Sequence, residues 1–195
     1  SIFGTRWHYF KDHVENFTPF IRSVYSACID LKAIEEDAPL RMIREIKNIG
    51  GRKNYEPHYD QLMQKLAEIL VMRHVVTMQW PPKTSFEIEA GITGTRKRID
   101  LVVTLPDGKK FGFEVKAPKY VPFKFQRHNA DNTALPRDNT LKSFLRSANE
   151  KFDAFAARRD FCGVLVIVWD DRVDEAVGPL LNNRTGLLTP ATYSL

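Results

Sequence analysis

Arg98-Ile99-Asp100-Leu101-Val102-Val103-Thr104-Leu105-Pro106-Asp107-Gly108-Lys109-Lys110-Phe111-Gly112-Phe113-Glu114-Val115-Lys116 is the stretch on which the fold turns. Two runs rich in β-branched and aromatic residues flank Pro-Asp-Gly, which reads as strand, turn, strand. Leu105 to Lys109 matches a type I turn with Pro first and Gly in the left-handed position, the three-residue hairpin loop with a bulge. That loop pairs Leu105 with Lys109, and counting back sets Asp100 opposite Glu114 and Arg98 opposite Lys116. Directly opposed residues share a face, with β-carbons about 4.5–5.5 Å apart. Asp100, Glu114 and Lys116 are therefore expected on one face, with Ile99, Leu101, Val103, Phe113 and Val115 on the other. A two-residue Asp107-Gly108 loop would shift the register by one and break the convergence.

Before the hairpin, Thr84 to Ile92 alternates, with Phe86, Ile88 and Ala90 on one face and Ser85, Glu87 and Glu89 on the other. The hairpin strands are expected over Lys97 to Leu105 and Lys110 to Lys116. Glu56 to His74 is the strongest helix, with an apolar stripe of Tyr59, Leu62, Met63, Leu66, Ile69 and Leu70 and with Pro57 in its first turn. The first fifty residues read as helical: Phe10, Val14, Phe17, Phe20, Ile21 and Val24 recur at helical spacing, Thr18 and Pro19 mark a helix start, and Leu40 to Ile46 stops at Asn48-Ile49-Gly50-Gly51. After the hairpin, a basic and aromatic loop from Ala117 to Asp138 leads to a helix capped by Asn139 or Thr140, with Leu141, Phe144, Leu145, Ala148, Phe152 and Phe155 in its stripe. Cys162 to Trp169 is a continuous apolar run, expected as a strand buried on both faces, and a short helix is expected around Glu175 to Leu181. The order is helices followed by α-β-β-β-α-β, an α/β sandwich with a mixed sheet. We read 1–195 as one domain, with a helical subregion over 1–50 and a core over 55–170.

Composition narrows the function. The 195 residues are 43% hydrophobic and 27% charged, enough for one sizeable core. No stretch approaches the ~20 apolar residues of a membrane span, and the N-terminus lacks a signal peptide's apolar region, so the expected location is cytoplasmic. The first residue is Ser rather than Met, which reads as a processed or trimmed start. Two cysteines, Cys28 and Cys162, are too few for a disulfide scaffold or thiolate zinc site and fall in apolar runs, so both are expected in the core. Lys and Arg number 29 against 24 acids, a formal charge of +5. Such an excess suits a polyanion but also an ordinary basic protein.

Two carboxylates opposed on neighbouring strands repel unless a cation lies between them. Hard oxygen ligands suit Mg²⁺, with Mn²⁺ as a substitute, and both accept phosphate oxygens. A lysine two residues beyond the second carboxylate can hold an attacking water and stabilise charge at phosphorus. The competing reading is an exposed hairpin face, where Asp, Glu and Lys are common.

Asp100 followed by Glu114-Val115-Lys116, within α-β-β-β-α-β, resembles the PD-(D/E)XK nuclease superfamily of restriction-endonuclease-like fold, over Tyr55 to Asp170. The resemblance implies that Asp100 and Glu114 bind metal and that Lys116 acts on the nucleophilic water. Ile99 rather than Pro precedes Asp100, a position that is loose in the superfamily. Pro106-Asp107 is the literal Pro-Asp, but Asp107 sits at the hairpin tip, about 20 Å from Glu114 by strand rise. The family often adds an acid from the preceding helix. Glu56, in line with the apolar stripe, is the first choice, with Asp60 and Glu68 as alternatives; a charge at a helix N-terminus accounts for Glu56 equally well. Glu87 and Glu89 read as solvated strand residues.

Basic residues surround the pair in sequence. Arg96, Lys97 and Arg98 lead into the second strand, and Lys119, Lys124, Arg127 and His128 follow Lys116, interleaved with Tyr120, Phe123 and Phe125. Lys142 and Arg146 lie one turn apart on the following helix. Cations and aromatics beside a metal site suit a phosphate backbone and unstacked bases. The expectation is a Mg²⁺-dependent endonuclease acting on DNA rather than RNA, with a homodimer as one route to double-strand cleavage. An RNA-cleaving or toxin-type nuclease and a non-catalytic nucleic-acid-binding module are the alternatives.

Overall fold

Pro19 opens a helix, as its place after Thr18 predicts: the Thr18 hydroxyl accepts from the Ile21 N–H at 3.5 Å. The computed structural model describes residues 8–49, 56–91, 97–117, 136–156 and 160–168. Within them α1 spans Tyr9–Glu15, α2 Pro19–Lys32, α3 Ala38–Ile49 and α4 Glu56–Val76. His8 caps α1: its Nδ1 accepts from the Phe10 N–H at 3.1 Å, leaving Nε2 to donate to the Ile46 carbonyl at 3.1 Å and tie α1 to α3. The apolar stripe of α4 is buried through Leu62, Leu66, Ile69, Met72 and Val75, and packs with Val24, Leu31, Met42 and Ile46 of the preceding helices in one core. No helix among the described residues is long and apolar enough to cross a membrane.

The period-2 segments form a four-stranded sheet in the order β1-β2-β3-β4, with β1 Ser85–Gly91, β2 Arg98–Thr104, β3 Lys110–Lys116 and β4 Phe161–Ile167. The first two pairings are antiparallel, and β4, reached through α5 (Pro136–Ala156), runs parallel to β3. The turn has the expected chemistry. Gly108 has φ 90°, its N–H donates to the Leu105 carbonyl at 2.9 Å, and Leu105 N–H donates to the Lys109 carbonyl at 2.8 Å. The register is accordingly Thr104 to Lys110 and Leu101 to Phe113. Leu101, Val103 and Ile88 face the helical core, while Val102, Ile99 and Ala90 face Phe152 and Phe155 of α5 together with Phe161. The chain is thus an α/β protein with a mixed sheet between helices.

Four expectations are corrected. Ala90 does not share a face with Phe86 and Ile88, nor Ile99 with Leu101 and Val103. The alternation breaks at Glu89, which has φ 51° and where the β1–β2 ladder skips a pair, so later side chains turn to the other face. The last strand is not buried on both faces: β4 pairs only with β3 among the described residues, and Cys162 and Gly163 are exposed. Cys162 is therefore not a core residue, whereas Cys28 is half-buried and its thiol is pushed up by burial. The helix expected from Asn139 or Thr140 begins at Pro136, a residue suited to the first turn. The helix expected around 175–181 lies outside the described residues.

Candidate functional site

The β2–β3 ladder runs as far as Leu101 and Phe113 and there parts. Backbone groups on an open strand edge need partners, and side chains supply them. The Val115 N–H donates to Asp100 Oδ2 at 2.7 Å, the Val115 carbonyl accepts from Gln64 Nε2 at 2.9 Å, and the Ala117 N–H donates to Gln64 Oε1 at 2.7 Å. Asp100 and the α4 residue Gln64 thus complete the edge of β3 beyond the point where β2 leaves it.

Glu114 lies next along β3, with its side chain only 1% exposed. A buried carboxylate requires charge partners. Oε1 accepts from Lys116 Nζ at 2.7 Å and from Lys151 Nζ of α5. Oε2 is buried without a hydrogen-bond partner among the described residues. Burial, then the charges of Glu114 and Glu68, pushes the Asp100 carboxyl up to about 7, while the Val115 N–H and Lys151 oppose the rise. Glu68 is anchored on α4, accepting from Gln64 Nε2 at 2.8 Å and pairing with Lys65, which also holds Glu45 at 2.7 Å. Burial pulls the Lys65 ammonium down, but Glu68 and Glu45 outweigh it and hold it above its ordinary value.

Asp100, Glu114 and Lys116 are therefore brought together. Among the described residues, the helix acid whose charge reaches Asp100 is Glu68. Glu56 stands twelve residues earlier on α4, about 18 Å along the axis, and its side chain lies outside the described residues. Asp60 lines a neighbouring cavity. Glu89 pairs with Arg41 at 3.1 Å and with Arg98 at 3.7 Å, and Lys97 pairs with Glu150 of α5 at 3.2 Å. Arg98 remains largely exposed, as is Arg146 on α5. Arg96, Lys119, Lys124 and Arg127, with His128, Tyr120, Phe123, Phe125 and the side chain of Lys142, lie outside the described residues.

Two residues of the site went unread in the sequence. Lys151 falls three residues after Ala148 and seven after Phe144, in phase with the buried stripe of α5, and a lysine in an apolar stripe is the signal that marks it. Gln64 sits on the shoulder of the α4 stripe and carried no such signal.

A divalent cation fits this arrangement on two counts: a buried carboxylate oxygen lacks a partner among the described residues, and a second carboxyl is raised by burial and then by like charge, the latter of which such an ion would relieve. Among the described residues no set of three or more His, Cys, Asp or Glu side chains could hold a metal by itself. Asp100 and Glu114 would supply two ligands, as suits Mg²⁺, which keeps several waters and takes substrate phosphate oxygens. Comparison of the chain with protein-family models, with curated proteins and with solved structures gives no match.

Proposed function

We propose that this chain is a Mg²⁺-dependent endonuclease of restriction-endonuclease-like fold that hydrolyses phosphodiester bonds in DNA. The observation that carries the reading is the buried Glu114 carboxylate, held by two lysines through Oε1 and unpartnered at Oε2, beside the raised carboxyl of Asp100. Asp100 and Glu114 Oε2 would hold the ion, which supplies Lewis-acid polarisation of the phosphate. Lys116 is placed to orient the attacking water and offset charge gathering on phosphorus. Lys151 keeps Glu114 in one rotamer, so that Oε2 is presented to the ion. Exposed Arg98 and Arg146 would contact the backbone of the nucleic acid.

Incubating the protein with plasmid, single-stranded DNA and tRNA, in Mg²⁺ and in excess EDTA, tests the reading. Cleavage of DNA in Mg²⁺ alone, reduced at least ~10²-fold in Asp100→Ala with the fold retained, is the expected result. Full activity in that variant or in EDTA would sink it. Preferential cutting of tRNA selects the RNA-directed alternative, and calorimetric Mg²⁺ binding with no cleavage selects a binding module.

A further inference from the structure

Next to the carboxylate pair lies a cavity of about 630 Å³, within the ~300–1,000 Å³ range of small-molecule sites. It lies between α3, α4 and α5, beside Ala117 just past the end of β3. Ile49, Ala117 and Phe144 give it apolar and aromatic walls. Asn48 and Gln61 add two exposed side-chain amides with no hydrogen-bond partner among the described residues. Glu45 and Asp60 add carboxylates that can accept from a ring's N–H groups, and Lys65, the sole cation among the described lining residues, is held between Glu45 and Glu68 and is not free to take a phosphate. Among the described residues, an aromatic wall, amide donors and acceptors, carboxylate acceptors and no available cation suit a flat, uncharged ring with a hydrogen-bonding edge.

The cavity is joined to the carboxylate site by two residues. Ala117 follows Lys116 directly, and Gln64 lines the cavity while its amide holds Val115 and Ala117. We propose that this cavity takes a single unstacked nucleobase of the nucleic acid, with Phe144 stacking on the ring and Asn48 and Gln61 bonding its edge. That the base belongs to a nucleotide beside the scissile phosphate rests on the nuclease reading. Taking a base out of a duplex costs a few kcal/mol and least at unpaired positions, so the pocket directs the site toward single-stranded, mismatched or frayed nucleotides.

The test has two independent arms. In the first, saturation-transfer NMR with free adenosine, guanosine, cytidine and thymidine is run on the intact chain and on Phe144→Ala and Gln61→Ala. At least one nucleoside should bind, with affinity falling roughly 10-fold or more in Phe144→Ala. Gln61 is exposed, so its variant keeps the test alive if the Phe144 variant does not fold. In the second, the ends left in random-sequence DNA are sequenced and should show a base bias at one position that both variants lose. Asp100-dependent cleavage with unbiased ends and no nucleoside binding overturns the pocket and leaves the nuclease reading standing. Nucleoside binding lost in the variants, with no cleavage of any nucleic acid, supports the base site and removes the nuclease reading instead.

Discussion

Asp100→Asn should make the metal-free protein more stable, and more so in mild alkali than in mild acid. The variant keeps the shape of the side chain and an oxygen that can accept from the Val115 N–H, but it removes a charge placed beside Glu114 and Glu68. A carboxyl raised on folding contributes its stability fully below its unfolded value and loses it as the pH climbs through the folded one. Here those values are 3.8 and about 7. At ~1.36 kcal/mol per pH unit, the raised Asp100 carboxyl costs the folded state about 4 kcal/mol at pH 8, and about 2 kcal/mol at pH 5, where folding must protonate a group that is ionised in the unfolded chain. Urea unfolding in EDTA at the two pH values should show the advantage of Asp100→Asn growing by about 2–3 kcal/mol from pH 5 to pH 8. Adding Mg²⁺ at ~100 times its dissociation constant should stabilise the parent by about 2.7 kcal/mol and leave the variant nearly unchanged. An advantage that is the same at both pH values refutes the assignment of Asp100 as a carboxyl raised by burial and neighbouring charge, and a Mg²⁺ shift that survives the substitution refutes it as a metal ligand.

Lys116→Ala should lose at least ~10²-fold in DNA cleavage while keeping its circular dichroism spectrum. Lys151→Gln frees the Glu114 carboxylate that Lys151 holds through Oε1, so calorimetry should show Mg²⁺ binding several-fold weaker; unchanged or tighter binding refutes the orienting role of Lys151. His8 is held below its ordinary value, first by burial and against its bond to Ile46. Its contribution to stability is therefore complete above about 6.5 and lost as pH falls through the lowered value, and a series of melting temperatures from pH 8 to pH 5 should fall more steeply for the parent than for His8→Asn. Gly163→Ala would set a methyl group into the Phe152 ring, costing about 1–3 kcal/mol in urea unfolding.

The hairpin was legible because its determinants are local. Pro106, Asp107 and Gly108 dictate one loop length and the loop dictates the register as far as Leu101 and Phe113, next to which Asp100 and Glu114 follow in the chain without pairing. The α4 stripe was legible for a similar reason, since a 3.6-residue period survives whatever packs on it. What failed depends on distant parts of the chain. The apolar run of β4 reads as a strand covered on both sides, yet whether a strand lies inside a sheet or at its edge is decided by topology, and β4 has β3 alone beside it among the described residues. The choice among Glu56, Asp60 and Glu68 likewise turns on which level of a 21-residue helix meets the end of β3, and Gln64 fixes that level through Val115 and Ala117. Nothing in helix periodicity encodes it.

The misread face and the candidate site share one cause. Glu89 takes a left-handed backbone, φ 51°, which costs a non-glycine residue on the order of 1–3 kcal/mol. The β1–β2 ladder has no pair between Glu89 and Asp100, and the β2–β3 ladder has none between Asp100 and Glu114. Asp100 is therefore unpaired as a strand residue on both sides, within a strand that is otherwise paired. A regular strand would have kept the period-2 pattern and set Asp100 directly opposite Glu114, two ionised carboxylates about 5 Å apart at their β-carbons. The break instead lets the Asp100 carboxylate turn into the gap between β2 and β3, where it takes the Val115 N–H, while Glu114 turns to the lysine of α5. Backbone strain is kept where the surroundings hold it in place, and here they do so through Arg41 and Arg98 on the Glu89 carboxylate. The arrangement keeps the Glu114 charge within reach of the Asp100 carboxyl, where a cation between the two acids would stabilise both.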